Sequence, residues 1–302
     1  MRRTVSRVAG APVSWGANEV PGWGYQMSSE RVLGEAASLG LSAIESGPEG
    51  FLPSDPAGAR RMLGEHGLGL VGGFVPVVLH RAERREGELA AVERQAEFFA
   101  AAGGEVFIVA ASTGREGYED AEELGEGSWE ELFGGLASVD EIGDRHGLTV
   151  AVHPHLGTVI ERRHHVERFL EGCETALCLD TGHLMLGGDD PVRVAEVAAG
   201  RMGIVHLKDV DRRLAELVAA GELDYEKAVR QGVFKPLGDG DVDTERVIEL
   251  IEGSGYKGWY VLEQDIMLDD EPEEGDGPIE NVHRSLAFVE SKLEPRGDSG
   301  PR

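Results

Sequence analysis

The chain has 302 residues, of which 56 are acidic and 29 basic, giving a formal net charge of −27. A nucleic-acid binder needs a basic surface to displace counterions from phosphates, and an anionic membrane surface repels a chain of this sign, so nucleic acid and membrane are excluded as partners. Apolar residues make up 41% of the chain, enough for a core, while no stretch approaches the ~18 unbroken apolar residues of a membrane span.

Short apolar runs alternate along the chain with amphipathic segments. The first run is 8–15, followed by a helical pattern near 29–39 that Ser28 or Ser29 can cap. The run 41–45, a helix near 55–66 and the run 68–78 come next, then a long charged helix over 81–102 and the run 106–111. A glycine-rich acidic loop leads to a helix at 128–146, the run 148–153, a helix near 161–171, the run 176–180, a helix at 191–199 and the run 204–207. The final unit is a helix at 244–252, the run 259–263 and a helix at 280–292. Strands that alternate with helices pair in parallel, because each helix returns the chain to the same end of the sheet. Eight such units predict a single (β/α)8 barrel over 1–293, with an insertion at about 211–243 and a frayed tail at 294–302. An open doubly wound sheet is the alternative, but it usually carries a Gly-x-Gly-x-x-Gly turn, and none is present.

Two cysteines, Cys173 and Cys178, are too few for a disulfide framework and read as reduced and buried. The N-terminus lacks the apolar core of a secretion signal, so a cytoplasmic location is expected.

Barrel active sites sit at the C-terminal ends of the strands. The last four runs end in His153-Pro154-His155, Asp180-Thr181-Gly182-His183, His206-Leu207-Lys208-Asp209 and Glu263-Gln264-Asp265. Two imidazoles and two carboxylates from neighbouring strand ends suit Mn²⁺, Co²⁺ or Zn²⁺ better than an all-oxygen cation. The predicted ligands are His153, Asp180, His206 and Glu263, with His155 in reserve for His153. Strand period is two, so His153 and His155 share a face, as do His206 and Lys208, and Glu263 and Asp265. A strand-end Asp can instead cap the next helix. Trp15 reads equally as a stacking wall for a sugar ring or as core filling, and His164-His165 as a solvated helix face. Asp239, in the insertion, reaches the site if its loop folds over the barrel mouth. Lys208 should point into the same cavity, with Asp209 and Asp239 as the acidic groups that compensate its charge.

The segments Ala11-Pro12-Val13-Ser14-Trp15, Glu45 through Pro53, His153-Pro154-His155-Leu156-Gly157-Thr158, Leu179-Asp180-Thr181-Gly182-His183-Leu184, Val205-His206-Leu207-Lys208-Asp209 and Gly238-Asp239-Gly240-Asp241 resemble inosose dehydratases. These enzymes belong to the xylose isomerase-like TIM-barrel superfamily, with sugar-phosphate isomerases and epimerases, and the resemblance covers about residues 8–290. It implies a divalent metal held by Asp180, His206 and Glu263. In the wider superfamily a Glu stands where this chain has His153, which weighs against a proton-transfer epimerisation that needs two facing carboxylates. The implied activity is dehydration of a keto-polyol, 2-keto-myo-inositol first, with His155, His183, Lys208 and Glu263 as acid/base candidates. Trp15, Glu45, His183, Lys208 and Asp239 are the candidate substrate contacts. An isomerase or epimerase on a related ketose and a non-catalytic polyol-binding protein remain as alternatives, and the reading is compatible with a homo-oligomer.

Overall fold

The computed structural model describes residues 7–115 and 122–293. The expected frayed tail at 294–302 lies outside them. The elements, in chain order, are β1 (Val8–Gly10), α1 (Ser29–Ser38), β2 (Ala43–Ile44), α2 (Pro56–Glu65), β3 (Gly69–Leu70), β4 (Gly72–Val77), α3 (Arg85–Ala102), β5 (Val106–Ala111), α4 (Glu126–His146), β6 (Thr149–Val152), α5 (Arg163–Gly172), β7 (Ala176–Asp180), α6 (Thr181–Leu186), α7 (Pro191–Val197), β8 (Met202–Leu207), β9 (Asp209–Val210), α8 (Arg212–Ala219), α9 (Tyr225–Arg230), β10 (Phe234–Lys235), α10 (Thr244–Gly253), β11 (Tyr260–Leu262) and α11 (Pro278–Leu293). Local chemistry sets many of the boundaries. Ser28 caps α1, and Asp55 caps α2 directly before Pro56, whose missing N–H costs a first turn nothing.

The main sheet runs β3-β2-β1-β11-β8-β7-β6-β5-β4, every pair parallel. Its two ends, β3 and β4, are separated in sequence only by Val71. The Val71 N–H donates to Ile44 O of β2, and its carbonyl accepts from Val106 N of β5. One residue thus closes the ring, and the nine segments occupy the eight strand positions expected. At this joint the backbones of β4 and β5 approach closely. A Cβ on Gly72 would sit 1.8 Å from Val106 O, so only glycine fits.

Side-chain alternation along the strands separates two cores. Ala151, Cys178, Ile204 and Val261 point inward and fill the barrel with Ala9, Ala43 and Ile108. Their neighbours Val152, Leu177, Leu179, Val205 and Leu262 point outward and pack beneath the helices. Continuing the same alternation past each inward core residue places His153, Asp180, His206 and Glu263 one layer higher, at the C-terminal mouth.

Three expectations change. The run 8–15 is strand only through Gly10, after which Pro12–Trp15 form a 3₁₀ turn closed by Gly16 at φ 80°. A helix, α6, starts immediately after Asp180, where none was anticipated. Cys173 is half-buried rather than buried, and both cysteines are free thiols. Among the described residues, no helix is long and apolar enough to cross a membrane.

Residues of the insertion form α8, α9 and β10, which pairs antiparallel with β9 just before it. Val210, Leu214, Tyr225, Val229 and Phe234 make a small core of their own with Trp23 and Leu156 of the barrel loops and Leu186 of α6. Asp209 ties down the returning loop: its carboxylate accepts from the backbone N–H groups of Gly238, Gly240, Val242 and Val210 at 2.8–3.0 Å. Gly240 is required there, since a Cβ would lie 2.3 Å from Asp209 Oδ1. Asp209→Ala leaves these donors without a partner and should lower the unfolding free energy by about 2–4 kcal/mol, read by urea denaturation. A change below about 0.5 kcal/mol would mean that water replaces the carboxylate at no cost.

Candidate active site

The four polar strand ends converge. His153 Nε2 lies 3.2 Å from Asp180 Oδ2, His206 Nδ1 lies 3.6 Å from the same oxygen, and His206 Nδ1 lies 2.6 Å from Glu263 Oε2. Ligand atoms around a tetrahedral cation with ~2.1 Å bonds are roughly 3.4 Å apart, so this spacing is close to what a small divalent metal requires. The buried atoms His206 Nδ1 and Glu263 Oε2 make no hydrogen bond of good geometry, as befits donors arranged for a cation rather than for each other. His153 with Asp180 and His183, and Glu45 with His206 and Glu263, form two groups of ligand-type atoms, and His153 and His206 meet in a third with Cys178.

Asp180 serves two partners at once. Its Oδ1 accepts from Gly182 N at 2.9 Å and His183 N at 2.8 Å, which caps α6. Its Oδ2 faces His153, His206 and Lys208. Helix cap and candidate ligand are therefore compatible, one oxygen for each.

Lys208 is fully buried, and its Nζ lies 2.8 Å from Glu263 Oε1, 2.9 Å from Asp265 Oδ1 and 3.4 Å from Asp180 Oδ2. Burial disfavours the ammonium, but Asp180, Asp265 and Glu263 outweigh it and hold its pKa well above the ordinary lysine value. Asp180 responds in the opposite sense. Burial raises its pKa, Lys208 and the surrounding imidazoles lower it further, and it stays ionised. The expected compensation by Asp209 and Asp239 is not found: Asp209 holds the loop, and Asp239 pairs with Arg284 on the surface.

A cavity of about 320 Å³ opens above this cluster, lined by Glu45, His153, His155, His206, Glu263 and Asp265 among others. His155 is stacked on His183 with ring centroids 3.7 Å apart, and its Nδ1 lies 2.8 Å from Leu156 O. A carbonyl only accepts, so Nδ1 carries the proton and Nε2 is the basic nitrogen. His183 and Lys208 lie behind this lining rather than in it. Trp15 is not at the cavity either. It is fully buried in the main core with Nε1 donating to Glu35 Oε2 at 2.9 Å, because the 3₁₀ turn swings it beneath α1. Asp239, exposed and paired with Arg284, also stays outside. The His164-His165 pair divides: His164 is solvated, whereas His165 is buried and its Nδ1 accepts from Glu161 N and Arg162 N.

Residues 33–288 match the model of the xylose isomerase-like TIM-barrel family. The chain belongs to that family. Within it, the chain is 33% identical over 276 residues to an inosose dehydratase of Geobacillus kaustophilus, covering 87% of this chain and 89% of that one. An inosose dehydratase of Erwinia tasmaniensis is 28% identical over 87% of this chain and 91% of its own. The fold superposes on L-ribulose 3-epimerase with a TM-score of 0.69 at 17% identity, covering 95% and 94% of the two chains. It superposes on the zinc-bound IolI protein, also at 0.69, with 12% identity and 95% and 98% coverage.

In this member of the xylose isomerase-like family, Asp265 shares a face with Glu263, as its spacing of two implies, and completes the cage of Lys208. Two features of the site went unread in the sequence. Tyr225 of α9 donates its hydroxyl to Asp265, and no local pattern marks it. His206 Nε2 bonds Glu45 Oε1 at 2.8 Å, although Glu45 is 161 residues away in sequence.

Two predictions follow from these charges. Lys208→Met leaves Asp180, Glu263 and Asp265 facing one another, so the metal-free variant should lose about 3–5 kcal/mol of stability at neutral pH and less near pH 4, by urea denaturation. Equal losses at both pH values would mean that carboxylate repulsion is not the cause. The second concerns His155, whose pKa burial pushes down to about 3 from 6.5, with His153 and Lys208 adding to the effect. Between those values the unfolded chain binds a proton that the native site refuses. Stability of the metal-free protein should therefore fall as pH drops through this window, by up to about 1.4 kcal/mol per pH unit from this group. His155→Gln should flatten that slope, and unchanged slopes would refute the assignment.

Proposed function

We propose that this protein is a metal-dependent hydro-lyase that removes water from a keto-polyol, with 2-keto-myo-inositol as the substrate. The reading rests on one observation: two imidazoles and two carboxylates meet at the floor of a cavity with acidic walls, in a chain 33% identical to an inosose dehydratase. His153, Asp180, His206 and Glu263 would hold the cation, with Mn²⁺ or Co²⁺ preferred and Zn²⁺ compatible with the same donors. Such a cation, when bound, polarises a ketone oxygen and stabilises negative charge that develops on it.

The chain's own residues do the rest. The substrate loses a proton from the carbon next to the ketone and a hydroxyl from the carbon beyond it. His155 lines the cavity wall with its Nδ1 proton held by the Leu156 carbonyl, so its Nε2 is placed to receive the carbon-bound proton and, because burial keeps its proton affinity low, to hand it on to the departing hydroxyl, which leaves as water. Lys208 remains an ammonium under three carboxylates, so it does not act as a base. It fixes Glu263 and Asp265, and through them the acidic wall. Glu263 and Asp265 face the cavity and accept hydrogen bonds from polyol hydroxyls. The proposed location is the cytoplasm.

The test incubates the purified protein, loaded with Mn²⁺ or Co²⁺, with 2-keto-myo-inositol and follows the product by mass spectrometry. A product lighter by one water is expected. Solvent deuterium exchange or a new isomer without loss of water would establish the isomerase or epimerase reading, and binding without turnover the polyol-binding reading. Asp180→Ala should retain little metal by elemental analysis, and full occupancy in that variant would overturn the ligand set.

A further inference from the structure

His206 is the one candidate ligand whose two ring nitrogens both meet carboxylates. On one side Nδ1 faces Glu263 Oε2 at 2.6 Å and Asp180 Oδ2 at 3.6 Å. On the other, Nε2 meets Glu45 Oε1 at 2.8 Å. Both partners of this second contact are buried, with 6% of Glu45 and 1% of His206 exposed. Glu45 stands at the end of β2, on the far side of β1 and β11 from β8, and its own N–H is pinned to Gly10 O at 3.0 Å. The carboxylate is therefore delivered to His206 by a fixed piece of backbone across the barrel mouth.

A neutral imidazole carries one proton, and only its bare nitrogen can bind a cation. A carboxylate accepts and does not donate, so the Glu45 contact keeps the proton on Nε2 and leaves Nδ1 bare, aimed at Glu263 and Asp180. A carboxylate behind His206 makes the imidazole a stronger donor without taking up a coordination position.

Accordingly, we infer that Glu45 is a positioning residue for the metal centre: it holds the His206 ring and tautomer so that Nδ1 faces the cation. This inference rests on the metal-centre reading proposed above. It assigns Glu45 a role other than the direct substrate contact expected from the sequence, although its carboxylate also borders the cavity.

The test measures Mn²⁺ affinity by the electron paramagnetic resonance signal of the free ion, together with the visible absorption of bound Co²⁺, for wild type, Glu45→Gln and Glu45→Ala. Circular dichroism and urea denaturation establish that each variant is folded, and the near-isosteric Glu45→Gln keeps the comparison available if Glu45→Ala is unstable. Affinity should fall 10–100-fold in Glu45→Ala, with an intermediate loss in Glu45→Gln, whose amide oxygen still accepts from Nε2. The Co²⁺ spectrum should shift as the imidazole turns. Wild-type affinity and an unshifted spectrum in both variants, with only KM for the polyol raised, would return Glu45 to the substrate and overturn the inference. A wild-type protein that binds neither cation would overturn the metal centre itself, and with it this inference.

Discussion

The barrel mouth is organised by the attraction between one buried ammonium and three carboxylates. Removing Lys208 from water costs several kcal/mol, and one ion pair in a protein interior rarely repays that with any margin. Contacts from Asp180, Glu263 and Asp265, which end β7 and follow β11, provide the excess. The same contacts tie together three of the strand ends from which the site is built. Thr181 fixes the lysine from behind, accepting from Lys208 N at 2.8 Å and donating to Lys208 O at 2.6 Å. Asp180 and Glu263 are shared between Lys208 and the proposed cation, whereas Asp265 belongs to Lys208, with Tyr225 steadying it. An ammonium with a carboxylate of its own keeps its place when the other two turn toward a metal.

Much of this was legible in the chain because two periodicities run through it. Alternation of period two fixed which residues face inward along 149–155, 176–180, 202–208 and 260–265, and the βα rhythm fixed that their ends lie at one face. That was sufficient to bring His153, Asp180, His206 and Glu263 together. Contacts that join distant segments carry no such signal. The Glu45–His206 pair spans the barrel, and Tyr225 reaches Asp265 from a helix in the insertion. Of the two readings of Trp15, core filling is the one the structure bears out, because the strand ends at Gly10 and gives way to a turn that Pro12 and Gly16 dictate. Asp239 was misplaced because the acidic residue that matters in that loop is its anchor, Asp209, and the Gly-Asp-Gly-Asp segment supplies backbone donors rather than carboxylates.

The insertion does more than cover apolar surface. Its small core sets Phe234 against the buried ammonium, with Lys208 Nζ 5.2 Å from the ring centroid, and sets Tyr225 beside His183 with centroids 5.9 Å apart. An aromatic face toward a buried cation contributes favourable electrostatics that water would otherwise supply. Trp23, from the loop after β1, packs on Tyr225 and donates Nε1 to Ile266 O at 2.7 Å, so the two ends of the chain's path around the mouth are joined over the insertion.

The closure of the ring at Val71 relies on brief ladders. β1 and β2, and β2 and β3, are in register over two residue pairs each, as are β6 and β7, whereas β4 and β5 match over six. The candidate ligands stand on β6, β7, β8 and the end of β11, and Glu45 stands at the end of β2. The Glu45–His206 contact therefore acts as a cross-brace over the mouth, tying a short-paired strand directly to β8 where the backbone ladder alone holds little.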